Sequence, residues 1–248
     1  MPTVLIPLPA RDFDPTEAAV PWRVLTALGH TVKFATPDGL PGAADERMLT
    51  GRGLSILAPL LMADANGRGA YAEMLRNAAF MKPGRHTDQR IEDFDGLLLP
   101  GGHAAGMRPY LESRELQALV ATAFALGKPV GAICHGVVLA SRACKADGHS
   151  VLHGRRTTAL TQQMELSAWA LTALWLGRYY RTYPVTVQAE VSAALARPED
   201  FIAGPVSTKR DTPTRLDIGF TVRDGQYLSA RWPGDAHRFA NEFATMLG

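Results

Sequence analysis

Cysteine is scarce in this chain of 248 residues, which carries only Cys134 and Cys144. Two cysteines cannot build a disulfide framework or a four-cysteine zinc ribbon, so a reducing, cytoplasmic setting is expected. No apolar run reaches the length of a membrane span. The amino-terminal stretch has no basic lead-in and too short an apolar run for a signal peptide. These absences predict a soluble protein without a membrane partner.

Charge of one sign is also scarce, because 26 Lys and Arg stand against 24 Asp and Glu, for a formal net charge of +2. No nucleic-acid partner is expected, since such binding rests on a basic surface. The aromatic, basic run RYYRTYP (178–184) is therefore expected to lie in the core or at a dimer surface. His149 and His153 are four residues apart in a loop-like stretch, without a carboxylate or cysteine to complete a ligand set. No metal site is predicted.

What the chain does contain is an alternation of apolar strands and helices. Strands are predicted at 3–9, 30–37, 94–102 and 128–134, and helices at 14–29, 111–127 and 135–144. Continuous apolar strands separated by helices indicate a parallel sheet that is covered on both faces. The predicted fold class is α/β, with a doubly wound, mostly parallel sheet.

The alternation is interrupted at residues 40–90, which hold two helix-like pieces, LSILAPLLMADA and GAYAEMLRNAAF. A structureless connection of that length is improbable, so a small cap-like insertion is predicted within a single domain spanning 1–248. Beyond residue 150 the pattern predicts a strand at 153–160, a helix at 164–177, a strand at 184–190, a helix at 190–196, and a hairpin followed by a closing helix.

The chemistry centres on GKPVGAICHGVVLAS (127–141), where a buried strand runs into a helix. A turn of this kind holds Cys134 out at the carboxyl edge of the sheet, where open α/β sheets bind ligands. Ala132 and Gly136 are the small residues that a nucleophile elbow needs on either side. The amino end of the following helix is expected to favour the thiolate. Cys144, inside that helix, is expected to be an inert core residue.

The segments AICHG and DGLLLPGGH together resemble the ThiJ/PfpI superfamily, which has the class I glutamine amidotransferase-like fold. The resemblance runs over nearly the whole chain, and the insertion suggests the branch of heat-shock chaperones and glutathione-independent glyoxalases (glyoxalase III). It implies a flavodoxin-like sheet, a homodimer and Cys134 as the nucleophile. The superfamily hosts many activities, so it does not give the substrate.

The resemblance also implies partners for Cys134. A glutamate at the start of the first helix, here Glu17, would share a proton with the thiol. Local physics offers another role, since Asp14, Pro15 and Glu17 form a helix-capping pattern. His135 would approach the sulfur, and a histidine in this role needs an orienting group.

Glu165 is the candidate for that orienting acid, at the place where the branch carries one. The alternatives are Asp211, the absence of a third member, or a purely local role for Glu165 as a favourable charge at a helix start.

The turn PGGH (100–103) follows a strand, and its glycines allow close approach of backbone to ligand. The resemblance assigns the Gly102 amide, beside Gly101, to an oxyanion hole with the His135 amide. His103 is expected to line the pocket or to be an ordinary loop residue. A dinucleotide or phosphate loop is not indicated, because GGHAAG lacks the required glycine spacing and the Lys-Ser/Thr pair.

Three functions are compatible with this set of residues. The first is conversion of a small carbonyl compound such as methylglyoxal into a hydroxy acid, which needs no cofactor because one carbon is oxidised while its neighbour is reduced. The second is hydrolysis of an amide, peptide or adduct by Cys134, His135 and Glu165. The third is a holdase chaperone or a redox sensor without turnover, with exposed apolar surface in the insertion.

Overall fold

The computed structural model describes all of residues 1–248 and contains a seven-stranded sheet and a separate two-stranded sheet. The strands are β1 (Thr3–Pro7), β2 (Arg11–Phe13), β3 (Thr31–Thr36), β4 (Ala43–Ala44), β5 (Gly84–Arg85), β6 (Gly96–Leu99), β7 (Val130–Ile133), β8 (Thr221–Asp224) and β9 (Tyr227–Ala230). The large sheet has the order β5-β3-β1-β6-β7-β9-β8, and β2 pairs with β4. Only β8 and β9 are antiparallel, so the predicted mostly parallel α/β sheet of flavodoxin-like type is confirmed.

Eleven α-helices connect and cover these strands. They are α1 (Pro15–Ala27), α2 (Glu46–Thr50), α3 (Ala58–Leu61), α4 (Ala65–Met74), α5 (Ala78–Met81), α6 (Arg108–Leu111), α7 (Arg114–Ala125), α8 (Gly136–Arg142), α9 (Gln162–Leu176), α10 (Val187–Ala193) and α11 (Ala236–Leu247). Helices α1 and α11 pack together, as do α7 and α8. None of the helices combines the length and the apolar character that a membrane crossing needs.

The central strands are buried on both faces. Every residue of β6 and β7 is buried, which explains the continuous apolar runs in the sequence. Gly131 of β7 faces α11, since a Cβ there would lie 2.9 Å from both Phe239 Cζ and Phe243 Cδ2. Because side chains alternate along a strand, Val130 and Ala132 point to the opposite face.

Residues 40–90 form short elements rather than one long connection. Strand β5 pairs in parallel with β3 and so becomes an edge of the large sheet, while α4 packs against α1. The segment also supplies the short helices α2 and α3. The division of the chain into one domain with a cap-like insertion stays a prediction.

Two predicted strands beyond residue 150 are wrong. Residues 153–160 contain only an isolated bridge, from Thr157 to Phe201. Residues 184–190 run into helix α10, because Thr186 caps it by accepting a hydrogen bond from the Ala189 amide at 3.3 Å. The β-branched residues of PVTVQ favoured the prediction of a strand, but the capping side chain of Thr186 starts a helix there.

The expectation for Cys144 is also wrong. Helix α8 ends at Arg142, and Cys144 follows it as an exposed residue. It forms a short antiparallel bridge with Ser150, which holds the chain in a surface turn rather than in the core.

Gly131 offers a test of this packing. We expect Gly131→Ala to destabilise the fold by about 1–3 kcal/mol, because the added methyl group must displace two buried phenylalanine rings. Gly69→Ala is the matched control: it lies inside α4, and no atom lies within 4 Å of its added Cβ. The control is expected to gain roughly 0.5–1 kcal/mol. Urea unfolding measures both, and equal stabilities would contradict the packing described.

Candidate active site

Cys134 lies in a sharp turn between the end of β7 and the start of α8. Its φ is +56°, a left-handed conformation that non-glycine residues adopt rarely. The Cys134 amide donates to the Ala230 carbonyl at 3.0 Å, which ties the turn to β9. A Cβ on Gly136 would collide with the carbonyl oxygen of Leu99. The Cys134 backbone is thus strained, and its contacts with the neighbouring strands maintain the conformation that positions the thiol.

Glu17 reaches this turn from the first turn of α1. Asp14 caps the helix, and its Oδ1 accepts hydrogen bonds from the amides of Thr16 at 2.8 Å and Glu17 at 3.1 Å. The Glu17 side chain does not reach back to the cap. Its Oε2 accepts the Gly101 amide at 2.9 Å, and its Oε1 is buried without a hydrogen-bond partner. Glu17 is therefore in the site, and Asp14 provides the cap.

Burial raises the pKa values of all three acidic groups in the site. Desolvation raises the pKa of Asp14 to about 6. Desolvation and the neighbouring Asp14 raise the pKa of Glu17 well above its usual range. The pKa of the Cys134 thiol is likewise raised by burial and by the carboxyls of Glu17 and Asp14. Burial and the neighbouring carboxyls thus outweigh the expected effect of the α8 amino end, and they favour the protonated form of the thiol.

His135 is fully buried beside the sulfur. Its Nδ1 lies 3.5 Å from Cys134 Sγ, and its Nε2 lies 3.0 Å from Thr182 Oγ1. Burial lowers the pKa of His135 to about 3, with smaller contributions from His103 and Arg142. The imidazole is therefore neutral at physiological pH.

The expected contact between Glu165 and His135 is absent. Glu165 Oε1 lies 3.1 Å from Arg181 Nε, and Glu165 Oε2 accepts the Val187 amide at 2.8 Å. The carboxylate is held at the start of α10, away from the imidazole. Asp211 does not replace it, because its carboxylate accepts two backbone amides at the start of α11.

Thr182 contacts His135 where the acid was expected. It lies inside the aromatic run 178–184, whose packing carries it to the site. Tyr180 is buried and stacks on the His103 ring with centroids 4.4 Å apart, and Tyr179 meets the same ring edge-on at 4.7 Å. Sequence reasoning missed Thr182, because no local pattern marks a threonine that meets a histidine 47 residues away.

The turn at 100–103 needs both of its glycines. A Cβ on Gly101 would lie 2.6 Å from the His135 amide and 2.7 Å from Glu17 Oε2. Gly102 has φ +150°, and its Cβ would lie 2.7 Å from the Asp12 carbonyl oxygen. The Gly102 amide donates to no protein atom, and the His135 amide interacts with the Cys134 sulfur. The amides of Gly102 and His135 are therefore two backbone donors on residues that border the thiol.

A cavity of ≈ 230 Å³ opens above these groups. Its polar lining includes Asp14, Glu17, His103, Cys134, Glu165 and Arg210, and its apolar lining includes Met48, Leu60, Leu61, Met164, Leu171 and Trp232. Cys134 is only 5% exposed, so a ligand meets the sulfur through the cavity rather than from the surface. No group of three His, Cys, Asp or Glu residues is arranged to hold a metal ion. The size suits a small molecule.

Comparison with known proteins gives matches over most of the chain. The family model described as ThiJ/PfpI family-like matches residues 8–205. An uncharacterized protein of Schizosaccharomyces pombe is 30% identical over 47% of this chain and 43% of its own length. A deglycase of Pyrococcus abyssi is 27% identical over 63% of this chain and 64% of its own. The matches thus span less than two thirds of either relative.

Solved structures show the same fold at low identity. Rapid encystment protein 24 kDa of Francisella tularensis superposes with a TM-score of 0.70 and 16% identity, covering 100% of both chains. Glyoxalase III of Candida albicans superposes with a TM-score of 0.69 and 19% identity, covering 98% of this chain and 96% of the other.

Asp14 gives a pH-dependent prediction. Its pKa in the folded protein, about 6, lies above the ordinary 3.8, so the folded state binds the proton more tightly. Stability is therefore lost as the pH rises from about 4 to about 6, and it stays lost above that range. Asp14→Asn keeps the capping oxygen and removes the charge. We expect it to stabilise the protein by roughly 1–3 kcal/mol at pH 7.5 and by less at pH 5.

Urea unfolding at both pH values measures this difference. Asp14→Ala, which removes the cap together with the charge, serves as the control. A gain that is the same at both pH values would contradict the assignment of the effect to ionisation.

Proposed function

The chain belongs to the ThiJ/PfpI-like family, and we propose that it is a cysteine-dependent enzyme that converts a small 2-oxoaldehyde such as methylglyoxal into a hydroxy acid. One observation carries the proposal: the Cys134 thiol, the Glu17 carboxyl and the neutral His135 imidazole are buried together beneath a small cavity. Similarity to a glyoxalase III and a deglycase supports the choice of carbonyl chemistry.

In the first step Cys134 Sγ attacks the aldehyde carbon. A carbon–sulfur bond forms, and the carbonyl oxygen receives the electron pair and then the thiol proton, giving a hemithioacetal. The amides of Gly102 and His135 are the donors proposed for the developing oxyanion, and a donor of this kind contributes about 3 kcal/mol.

In the second step Glu17 moves a proton between adjacent carbons. Its carboxylate removes the hydrogen of the former aldehyde carbon as a proton, and the neighbouring carbonyl oxygen takes up the electron pair, giving an enediolate. Glu17 returns that proton to the neighbouring carbon, while the hydroxyl proton of the first carbon moves to the oxygen of the second. The first carbon becomes a thioester and the second an alcohol, so the electrons balance within the substrate. Because burial raises its pKa, Glu17 is a stronger base than a carboxylate in water. Water then hydrolyses the thioester to the hydroxy acid and frees the thiol.

This chemistry needs no cofactor, since the oxidation of one carbon is matched by reduction of the next. A Cys-His-Glu hydrolase is the weaker alternative, because Glu165 binds Arg181 and the Val187 amide instead of His135. A glutamate beside the thiol, by contrast, is what an internal proton transfer requires.

The test is formation of lactate from methylglyoxal by purified protein. We expect Cys134→Ala to abolish it and Glu17→Gln to lower kcat by about 100- to 10,000-fold, the range for loss of a general base. Cys144→Ser, at the exposed cysteine outside the cavity, is the control and is expected to keep full activity. Lactate formation by Cys134→Ala at the wild-type rate would sink the proposal.

The same variants separate the alternatives. A substrate-derived acyl group trapped on Cys134 from an amide or ester would favour the hydrolase. Suppression of client aggregation by Cys134→Ala, without any turnover by the wild-type protein, would favour the chaperone.

We further propose that the protein is a homodimer that associates through α9. This helix is apolar around most of its circumference, yet Leu174 is 97% exposed and Leu171 and Trp175 are about half exposed. A helix with apolar residues on all sides is ordinarily covered. Sedimentation equilibrium of the wild type and of Leu174→Glu checks this. A dimeric wild type and a monomeric, folded variant are expected, whereas a monomeric wild type would contradict it.

A further inference from the structure

Thr182 lies between the His135 imidazole and the backbone of His103. Its hydroxyl makes two contacts: the backbone carbonyl oxygen of His103 lies 2.5 Å from Oγ1, and Nε2 of His135 lies 3.0 Å from it. A hydroxyl has one proton, and a carbonyl oxygen can only accept. The Thr182 hydroxyl therefore donates its hydrogen bond to the His103 carbonyl oxygen, and its oxygen accepts one from the His135 ring. Nε2 of His135 must carry the hydrogen.

The other ring nitrogen follows from this assignment. His135 is neutral, so it holds a single ring proton, and that proton is on Nε2. Nδ1 is left with a free lone pair that faces Cys134 Sγ at 3.5 Å. In this tautomer the thiol can donate to the imidazole, whereas the opposite tautomer would point an N–H at the sulfur.

We propose that Thr182 is the positioning residue that keeps His135 in the Nε2–H tautomer and so makes Nδ1 the acceptor of the Cys134 proton. The inference deepens the proposed function, because it names the group that takes the thiol proton as the carbon–sulfur bond forms. The proton passes from Sγ to Nδ1 and then to the carbonyl oxygen of the substrate. Threonine has no negative charge to pair with a protonated imidazole. The His135 imidazolium is therefore only a transient carrier of the proton.

The backbone around Thr182 is built to hold this contact. Arg108 donates from Nε to the Thr182 carbonyl oxygen at 2.9 Å and also stacks over the Tyr183 ring. Glu165 binds Arg181, the residue just before. Glu165, which was expected beside His135, thus holds the segment that carries Thr182. The hydrogen bond from Thr182 to the His103 carbonyl oxygen further links His135 to the glycine turn that borders the thiol.

The direct test is the tautomer of His135 in the wild-type protein, read from the ¹⁵N signals of its ring by NMR. We expect a protonated Nε2 and an unprotonated Nδ1. A protonated Nδ1 in the wild type would overturn the proposal. The NMR measurement does not require turnover, so its result is independent of whether the protein has glyoxalase activity.

The second test is the alkylation rate of Cys134 by iodoacetamide in a Cys144→Ser background, with mass spectrometry to identify the site. Thr182→Val keeps the shape but removes the hydroxyl, which leaves the buried Nε2–H of His135 unpaired and disfavours this tautomer. We therefore expect it to slow alkylation by about 10- to 100-fold. Thr182→Ser restores the hydroxyl and is expected to restore both the rate and the tautomer.

Thr172→Val is the matched control, since the hydroxyl of that buried threonine contacts only backbone carbonyl oxygens of its own helix, those of Ala168 and Trp169 in α9. It is expected to alkylate at the wild-type rate. If folded Thr182→Val keeps the wild-type tautomer and the wild-type rate, Thr182 has no positioning role.

Discussion

The close approach between the turn after β7 and the end of β6 is the constraint on which this site depends. The backbone at Gly136 passes so near the Leu99 carbonyl that no side chain fits, and Cys134 is thereby held at φ +56°. Parallel pairing of the two strands brings both turns to one edge of the sheet. Gly101 is then pressed between the His135 amide and the Glu17 carboxyl, so three stretches of chain meet at one point.

The same crowding sets the electrostatics. Asp14, Glu17 and the Cys134 thiol are buried close together, which raises the pKa of each group. The imidazole between the thiol and Thr182 is kept neutral for the same reason. The result is a site that favours a protonated thiol over a stored thiolate.

Sequence patterns predicted the parts of the structure that local physics controls. The cap at Asp14, the turn at Cys134 and the buried strands beside it all follow from short patterns of residues. The failures occurred where a longer-range contact decided the outcome. The predicted acid contact of Glu165 gave way to an ion pair with Arg181, and Thr182 reached His135 through packing of the 178–184 run that no spacing rule describes. The strand predicted at 184–190 failed because a single capping threonine outweighed its β-branched neighbours.

The cavity draws its walls from parts of the chain that are far apart in sequence, from Met48 in α2 to Trp232 beyond β9. Few of its contacts are local, and contacts of long sequence separation form late because their loops must close first. A fragment that lacks either end of the chain would therefore lack part of the cavity wall. In a refolding experiment, the cavity is expected to form in the slowest phase, after the secondary structure and the bulk of the compaction have been recovered.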